Sequence, residues 1–310
     1  MSELIAYRNG EYLPLSQCTV SVMDLGITNG AAVTDFLRTF NHIPFRIEDH
    51  IDRFYSAAKN AYITPPVTKE ESMEITCELV RRNSEIYPEC ELGLIFYITA
   101  GVNAVYAGSA VKAGPTPPTY IQHVFPLPFT AWKRFYTEGV AMATPSVPHL
   151  PPQCVSPKGK HRNRLHMWVG DHQLQALDPS VMGLYLTRDG LITETGGSNF
   201  VIYKDGKVLS PRRRNILWGV SLKVFTELLG ELGIPFAEDD IDVFDVVNAE
   251  EALLTTTPYC LAPVRSLNGI EIGDGSFPLF HKALEAWGKL VNKDLYKEIT
   301  ESQPINYRAP

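Results

Sequence analysis

The sequence predicts a two-domain α/β (α+β) protein, with a small N-terminal domain over residues 1–125, a linker over 126–134 and a larger domain over 135–310. Three observations carry that expectation. A chain of 310 residues exceeds what one ordinary hydrophobic core organises. Short extended patterns alternate with helical apolar patterns along its whole length. PLPFTAW, residues 126–132, places two prolines and a turn between two folded patterns.

In the small domain, Leu4 to Tyr7, the Asn9-Gly10 turn and Tyr12-Leu13 read as a hairpin, followed by a strand through Thr19 to Val22. Gly26 and Gly30 bracket a turn, and Val33 to Phe40 form a strand. Asn41-His42 turn it, and Phe45-Arg46 begin its return. A helix starts near Glu48 with Ile51, Phe54, Tyr55 and Ala58 on one face, and Pro65-Pro66 stop it. Lys69 to Asn83 form the next helix. Leu92 to Thr99 is a continuous apolar run, as expected of a central strand, and Tyr120 to Val124 supplies another.

The larger domain opens with a strand over Val140 to Thr144 and a proline-rich approach to KHRNRL. Leu165, Trp168, Val169, His172 and Ala176 then recur at helical spacing and define one apolar stripe. Leu184 to Thr187, an Asp189-Gly190 turn and Leu191 to Thr193 predict a hairpin leading into Glu194. Phe200 to Tyr203 and Lys207 to Ser210, closed by Asp205-Gly206, predict a second. Val220, Val224, Leu228 and Leu232 give a helix stopped by Gly233 and Pro235. Ala252 to Thr255 is a strand, and Leu279 to Val291 is the last helix, with a loosely held tail after Ile299.

The chemistry concentrates between Ser156 and Phe200. Lys160 stands in a polar turn just ahead of a helix, and Glu194 ends a strand. By itself such a lysine is a solvated charge, and such a glutamate caps a loop. Brought to one pocket, the pair is what a pyridoxal phosphate enzyme needs: an amine to form a Schiff base and a carboxylate to keep the pyridine nitrogen protonated. Lys158 is a rival nucleophile. Gly219 lets the backbone approach closely, and the exposed N–H groups of Val220 and Ser221 at a helix start make an anion site. Arg53 has the fork geometry for a phosphate, with an i,i+4 pair to Asp49 as the plainer alternative.

KHRNRL followed by GLITETGGSNF resembles the core signature of the class IV (fold type IV) aminotransferases, a family that also contains aminodeoxychorismate lyase. The resemblance runs from about residue 4 to about residue 291. It includes D-x-G at Asp24-Gly26 and H-x-x-R at His50 and Arg53, and it favours Lys160 through the register of Asn163, which opens the helix in that family. It implies a fold type IV enzyme with a β-barrel-like core in the larger domain, working as a homodimer. It implies pyridoxal 5′-phosphate held by Lys160, Glu194, Asn199, Arg53, Val220, Ser221 and Thr257, with no metal. The loop between residues 100 and 119 then reaches toward the neighbouring subunit's active site. The run APVRSLNGIEIGDG is most similar to the branched-chain members.

Three positions depart from the family's pattern. Thr34 stands where many members carry an aromatic residue, and Ala100 where the D-amino acid enzymes place an arginine for the substrate carboxylate. Pro258 removes a backbone donor that branched-chain members use. Arg38, with the Tyr259 N–H as a supplement, is therefore the expected carboxylate partner. The resemblance implies transfer of an amino group between an amino acid, branched-chain in type, and a 2-oxo acid. Arg164 and Leu165 are closer to aminodeoxychorismate lyase, which makes 4-aminobenzoate and pyruvate from 4-amino-4-deoxychorismate. A catalytically inactive pyridoxal-phosphate-fold binding protein is the non-enzyme alternative.

Composition narrows the partners. A hydrophobic share of 45% and a net charge of −7 describe a globular chain without the basic footprint of a nucleic-acid binder. Cys18, Cys77, Cys90, Cys154 and Cys260 are scattered singly, which predicts a reducing, cytoplasmic setting. No apolar run approaches a membrane span, so no membrane partner is expected.

Overall fold

The structure, a computed structural model, describes residues 3–103 and 117–307. The chain divides into two units: Met1–Leu127 with Gly159–Asn163 and Ile305–Pro310, and Pro128–Lys158 with Arg164–Pro304.

The first unit contains β1 (Ile5–Arg8), β2 (Glu11–Pro14), a one-turn α1 (Leu25–Thr28), β3 (Ala32–Phe40), β4 (Ile43–Pro44), α2 (Ile47–Asn60), α3 (Lys69–Ser84), β5 (Leu92–Thr99) and β6 (Tyr120–Pro126). Its antiparallel sheet runs β2-β1-β6-β5-β3-β4. Strand alternation sends Val33 and Leu37 to one face. There they join Ile51, Phe54 and Ala58 of α2 and Ile75 and Leu79 of α3 in a closed core. Phe54 is wholly buried, so Phe54→Ala is expected to cost about 3–5 kcal/mol. Thr68 and Glu71 close a capping box at the start of α3. The opposite face is less enclosed: Phe36, Ile95, Tyr97, His123 and Phe125 are half-buried.

Gly159–Asn163, which the sequence assigns to the larger domain, belongs with this first sheet. His161 bridges Val33 antiparallel; Thr34 donates its N–H to the Lys160 carbonyl (2.9 Å), and Arg162 donates to the Ala32 carbonyl (3.0 Å). A backbone that is extended at this point finds the outer edge of β3 and pairs with it. Thr19 to Val22, expected as a strand, carries no strand pairing, and the return after Asn41-His42 is the two-residue β4 rather than Phe45-Arg46. Residues 104–116 of the expected inter-subunit loop lie outside the described residues.

The second unit contains α4 (Lys133–Glu138), β7 (Val140–Ala143), α5 (Leu165–Gln175), β8 (Met182–Gly183), β9 (Asn199–Lys204), β10 (Lys207–Pro211), α6 (Val220–Glu231), β11 (Phe236–Asp239), α7 (Val243–Val247), β12 (Glu251–Thr256), β13 (Cys260–Leu267), β14 (Ile270–Glu271), α8 (Pro278–Val291) and α9 (Leu295–Thr300). Its sheet runs β11-β10-β9-β12-β13-β7-β8, with β14 beside β13. Asp205 and Gly206, both at positive φ, turn β9 into β10 as their dipeptide requires. The hairpin expected before Glu194 is reduced to one bridge, Leu186 to Ile192, flanked by backbone bonds between Tyr185 and Thr193. Within the expected linker, Pro126 ends β6 and Phe129–Trp132 form a 3-10 turn.

One expectation is corrected here. The apolar stripe of α5 does not pack inward: Leu165 is 74% and Trp168 63% exposed, while Met167 and Gly170 face the core. Periodicity identifies an apolar face but not what meets it. Gly170 wins because a Cβ there would stand 2.8 Å from the Tyr185 hydroxyl, so only glycine lets that ring come so close. The tail after Ile299 is preceded by α9, which the sequence reading did not include. Asp294 caps it, Leu295 and Ile299 are buried, and the helix packs beside α8.

Candidate active site

In the first unit, the expected phosphate arginine is fixed by a carboxylate that the sequence reading did not single out. Asp35, fully buried on β3, takes Arg53 Nε at 2.8 Å and Nη2 at 2.8 Å, and His50 Nδ1 lies 2.8 Å from the same carboxylate. Burial raises the Asp35 carboxyl, but the Arg53 charge and hydrogen bond, with His50, outweigh it and hold the group well below the usual carboxylate range. His50 is pushed down, first by burial and then by Arg53 and Lys160 against the opposing pull of Asp35, so it is neutral near pH 7. Arg53 Nε and Nη2 both face Asp35, and Asp49 lies 3.6 Å from Arg46 Nη1. An aspartate inside the apolar run VTDFLRTF was the available signal, because a buried carboxylate requires partners.

Lys160 sits opposite Thr34 through the backbone bond described above. Asn163 does not cap α5, whose preceding residue is Arg164. It lies instead against Gly30, where φ is +65° and a Cβ would stand 2.1 Å from Asn163 Oδ1. Glycine is required there twice over. Arg38, the expected carboxylate partner, is 1% exposed; its Nε donates to the Thr39 carbonyl (3.0 Å), and its guanidinium lies 3.9 Å from the centre of the Phe40 ring. Thr34 donates its hydroxyl to the Phe96 carbonyl, and Ala100 is half-buried.

In the second unit, Glu194 and Asn199 form the closest assembly. Glu194 bridges Asn199 through the backbone and accepts the Asn199 amide at 3.1 Å and the Leu217 N–H at 3.2 Å on each oxygen. His149 Nε2 lies 3.6 Å from the same carboxylate. That histidine was missed, and PHLPP offers no periodic or spacing signal for it. Asn199 reaches further: Nδ2 donates to the Leu217 carbonyl (2.6 Å), and Oδ1 accepts the Gly219 N–H (3.1 Å). One amide therefore joins the glutamate to the start of α6.

That helix start has no side-chain cap, unlike α3, α7 and α9, and Val220 and Ser221 are buried in its first turn. Leading N–H groups without a capping side chain, behind a glycine, make an anion cradle. Thr257 is half-buried at the head of the turn between β12 and β13. Tyr259 closes that turn. Its hydroxyl lies 3.1 Å from Ser198 Oγ, its carbonyl accepts from Tyr136, and burial pushes its phenol up to about 12. Thr256 donates to the Gly197 carbonyl, tying the turn to the segment that follows Glu194. Among the described residues no cluster could hold a metal ion, and no helix is long and apolar enough to cross a membrane.

The family described as amino-transferase class IV matches residues 32–267. A putative branched-chain-amino-acid aminotransferase of Methanocaldococcus jannaschii is 29% identical over 265 residues, covering 85% of this chain and 88% of its own length. A D-alanine aminotransferase of Bacillus licheniformis is 26% identical over 269 residues, covering 86% and 90%. A solved branched-chain amino acid aminotransferase of Escherichia coli has the same fold, with a TM-score of 0.84 at 22% identity over 94% of this chain and 95% of that one.

Proposed function

Because the chain belongs to the class IV aminotransferase family, we propose that it is a pyridoxal 5′-phosphate-dependent transaminase, moving an amino group between a branched-chain type of amino acid and a 2-oxo acid. The observation that carries the reading is Glu194, a buried carboxylate held by a backbone N–H and by Asn199, whose other end organises an uncapped helix start. A lysine, a fixed carboxylate and a phosphate cradle are the donor set this cofactor needs, so the residues present fit it.

When bound, the cofactor supplies the electron sink that makes the substrate Cα–H bond acidic. Lys160 Nζ would anchor it and, as a free amine, would carry the proton from the substrate Cα to the cofactor's aldehyde carbon. Glu194, oriented by Asn199, would keep the proton on the pyridine nitrogen. Arg53, the Val220 and Ser221 N–H groups and Thr257 hold the phosphate. Asp35 keeps the Arg53 fork oriented. The branched-chain type of substrate rests on the similarity of the run APVRSLNGIEIGDG to branched-chain members and on the Methanocaldococcus relative's name.

We also propose a homodimer in the cytoplasm. Leu165, Trp168 and Val169 place an exposed apolar face on α5 that a second copy would cover, and the five cysteines are free thiols.

The test loads the purified protein with pyridoxal phosphate and adds L-leucine alone, then 2-oxoglutarate. Stoichiometric conversion to the aminated cofactor and its reversal are expected, with Lys160→Ala inactive and Lys158→Ala active. An eliminating lyase would not accumulate the aminated cofactor, and an inactive binding protein would turn over nothing; either result overturns the reading.

A further inference from the structure

The half-buried face of the first sheet carries a cation that the family pattern does not account for. Arg162 lies two residues beyond Lys160 in the segment paired with β3, and its Nη2 donates to Thr34 Oγ1 at 3.2 Å. The two residues flank the His161–Val33 bridge, Lys160 accepting from the Thr34 N–H and Arg162 donating its N–H to the Ala32 carbonyl. Thr34 is opposite Tyr97 on β5, and Tyr97 shares its face with Ile95, which is opposite His123 on β6. The guanidinium acts on both neighbours: it opposes the rise that burial imposes on the Tyr97 phenol, and it adds to the fall that burial imposes on His123. Arg162 therefore stands over a face built of Thr34, Tyr97 and His123. The same face continues into Phe36 and Phe125, stacked at 5.7 Å across Gly93, where a Cβ would meet both rings at 2.8 Å.

We propose that Arg162 is the residue that receives the substrate carboxylate, with the Phe36 and Phe125 rings as the apolar floor beside it; the assignment rests on the transaminase reading above. A carboxylate leaving water requires a cation in return, and a guanidinium offers two parallel donors. Arg38 is sealed at 1% exposure against Thr39 and Phe40, whereas Arg162 is exposed and projects from the same short segment as Lys160. The threonine at position 34 makes this possible. Its small hydroxyl positions the guanidinium where a larger ring would occupy the space, and Arg162 supplies the charge that Ala100 does not and donors in place of the one that Pro258 lacks.

The probes are 4-methylpentanoate and its uncharged isostere 4-methylpentanamide, titrated into the cofactor-loaded protein by calorimetry, so no turnover is needed. Arg162→Gln is expected to weaken the carboxylate by about 10- to 100-fold, the effect of losing a hydrogen-bonded charge, while leaving amide binding within about twofold. Arg162→Lys keeps the charge without the fork and is expected to fall between the two. Equal loss of both probes would make Arg162 merely structural, and unchanged carboxylate binding, or a wild type that does not prefer the carboxylate, would overturn the proposal. Failure of the transaminase reading shows separately, as absence of the leucine half-reaction with carboxylate binding intact.

Discussion

Gly219→Ala isolates the Asn199 amide hub of the second unit. Gly219 has φ −65° and ψ 145°, which alanine adopts without strain, so the backbone contributes nothing to the effect. The added Cβ would stand 2.3 Å from Asn199 Oδ1, and Asn199 is buried and cannot swing into solvent. Displacing that amide disturbs its bonds to Gly219 N–H, the Leu217 carbonyl and Glu194. Two neutral bonds at about 1 kcal/mol each and one to a carboxylate at about 1.5–3 sum to roughly 3–5 kcal/mol, less whatever relaxation recovers, so a loss of about 2–4 is expected. Asn199→Ala should cost a similar amount, since it deletes the same bonds. The double variant should cost no more than Asn199→Ala alone, because the atom that Cβ strikes is gone. Urea unfolding of all four proteins, with pyridoxal phosphate affinity measured alongside, reads this directly. Additive penalties would refute the argument.

Arg53→Ala strands the buried Asp35 charge, so it should cost about 3–5 kcal/mol of stability as well as cofactor affinity, and Asp35→Asn added to it should restore much of the stability; thermal melts of the cofactor-free proteins check the rescue. Glu194→Gln should retain the cofactor yet slow Cα proton exchange by orders of magnitude, because a neutral amide cannot balance the ring charge; exchange of leucine Cα deuterium, followed by NMR, would be near wild type if Glu194 had no such role. His123 is pushed down to about 4 from an ordinary 6.5, first by burial and then by Arg162. A depressed folded value means that stability is fully present above pH 6.5 and is lost as pH falls toward 4, by up to about 3 kcal/mol at about 1.4 per pH unit. His50, also depressed, adds in the same direction. His123→Phe should flatten that slope in urea midpoints taken from pH 7 to 4.5, and an unchanged slope would refute the role given to His123.

What was legible in the sequence was local. Leu92–Thr99 was readable to the residue because a continuous apolar run admits few other structures. Val220–Glu231 was nearly so because Gly219 and Gly233 mark its two ends. Lys160, Glu194, Asn199 and Arg53 were named from their motifs, but not the contacts that fix them. Asp35, His149 and the amide bridge to Gly219 join residues 15 to 45 positions apart, and no periodicity spans such distances. Depth was equally hidden. The sequence pointed to Arg38 and not to Arg162, and only the packed sheet shows the first sealed against Phe40 and the second laid over Thr34. The stripe on α5 failed for the same reason, since an apolar face reads identically whether it meets a core or solvent.

β3 explains how these facts act together in the first unit. Its odd positions, Val33, Asp35 and Leu37, turn toward α2, and its even positions, Thr34, Phe36 and Arg38, turn to the other face. On the first side, Asp35 sets the Arg53 fork; on the second, Thr34 sets Arg162; and between them the Thr34 N–H sets the height of Lys160. One nine-residue strand therefore fixes the register of Arg53, Lys160 and Arg162, the proposed phosphate, nucleophile and carboxylate residues, at once. A side chain on one face can change without moving the other, because backbone bonds to β5 from Ala32 through Arg38 hold the strand in place whatever its side chains are. A slip of one residue in the pairing, by contrast, would exchange the two faces and put a carboxylate where the arginine's partner hydroxyl stands.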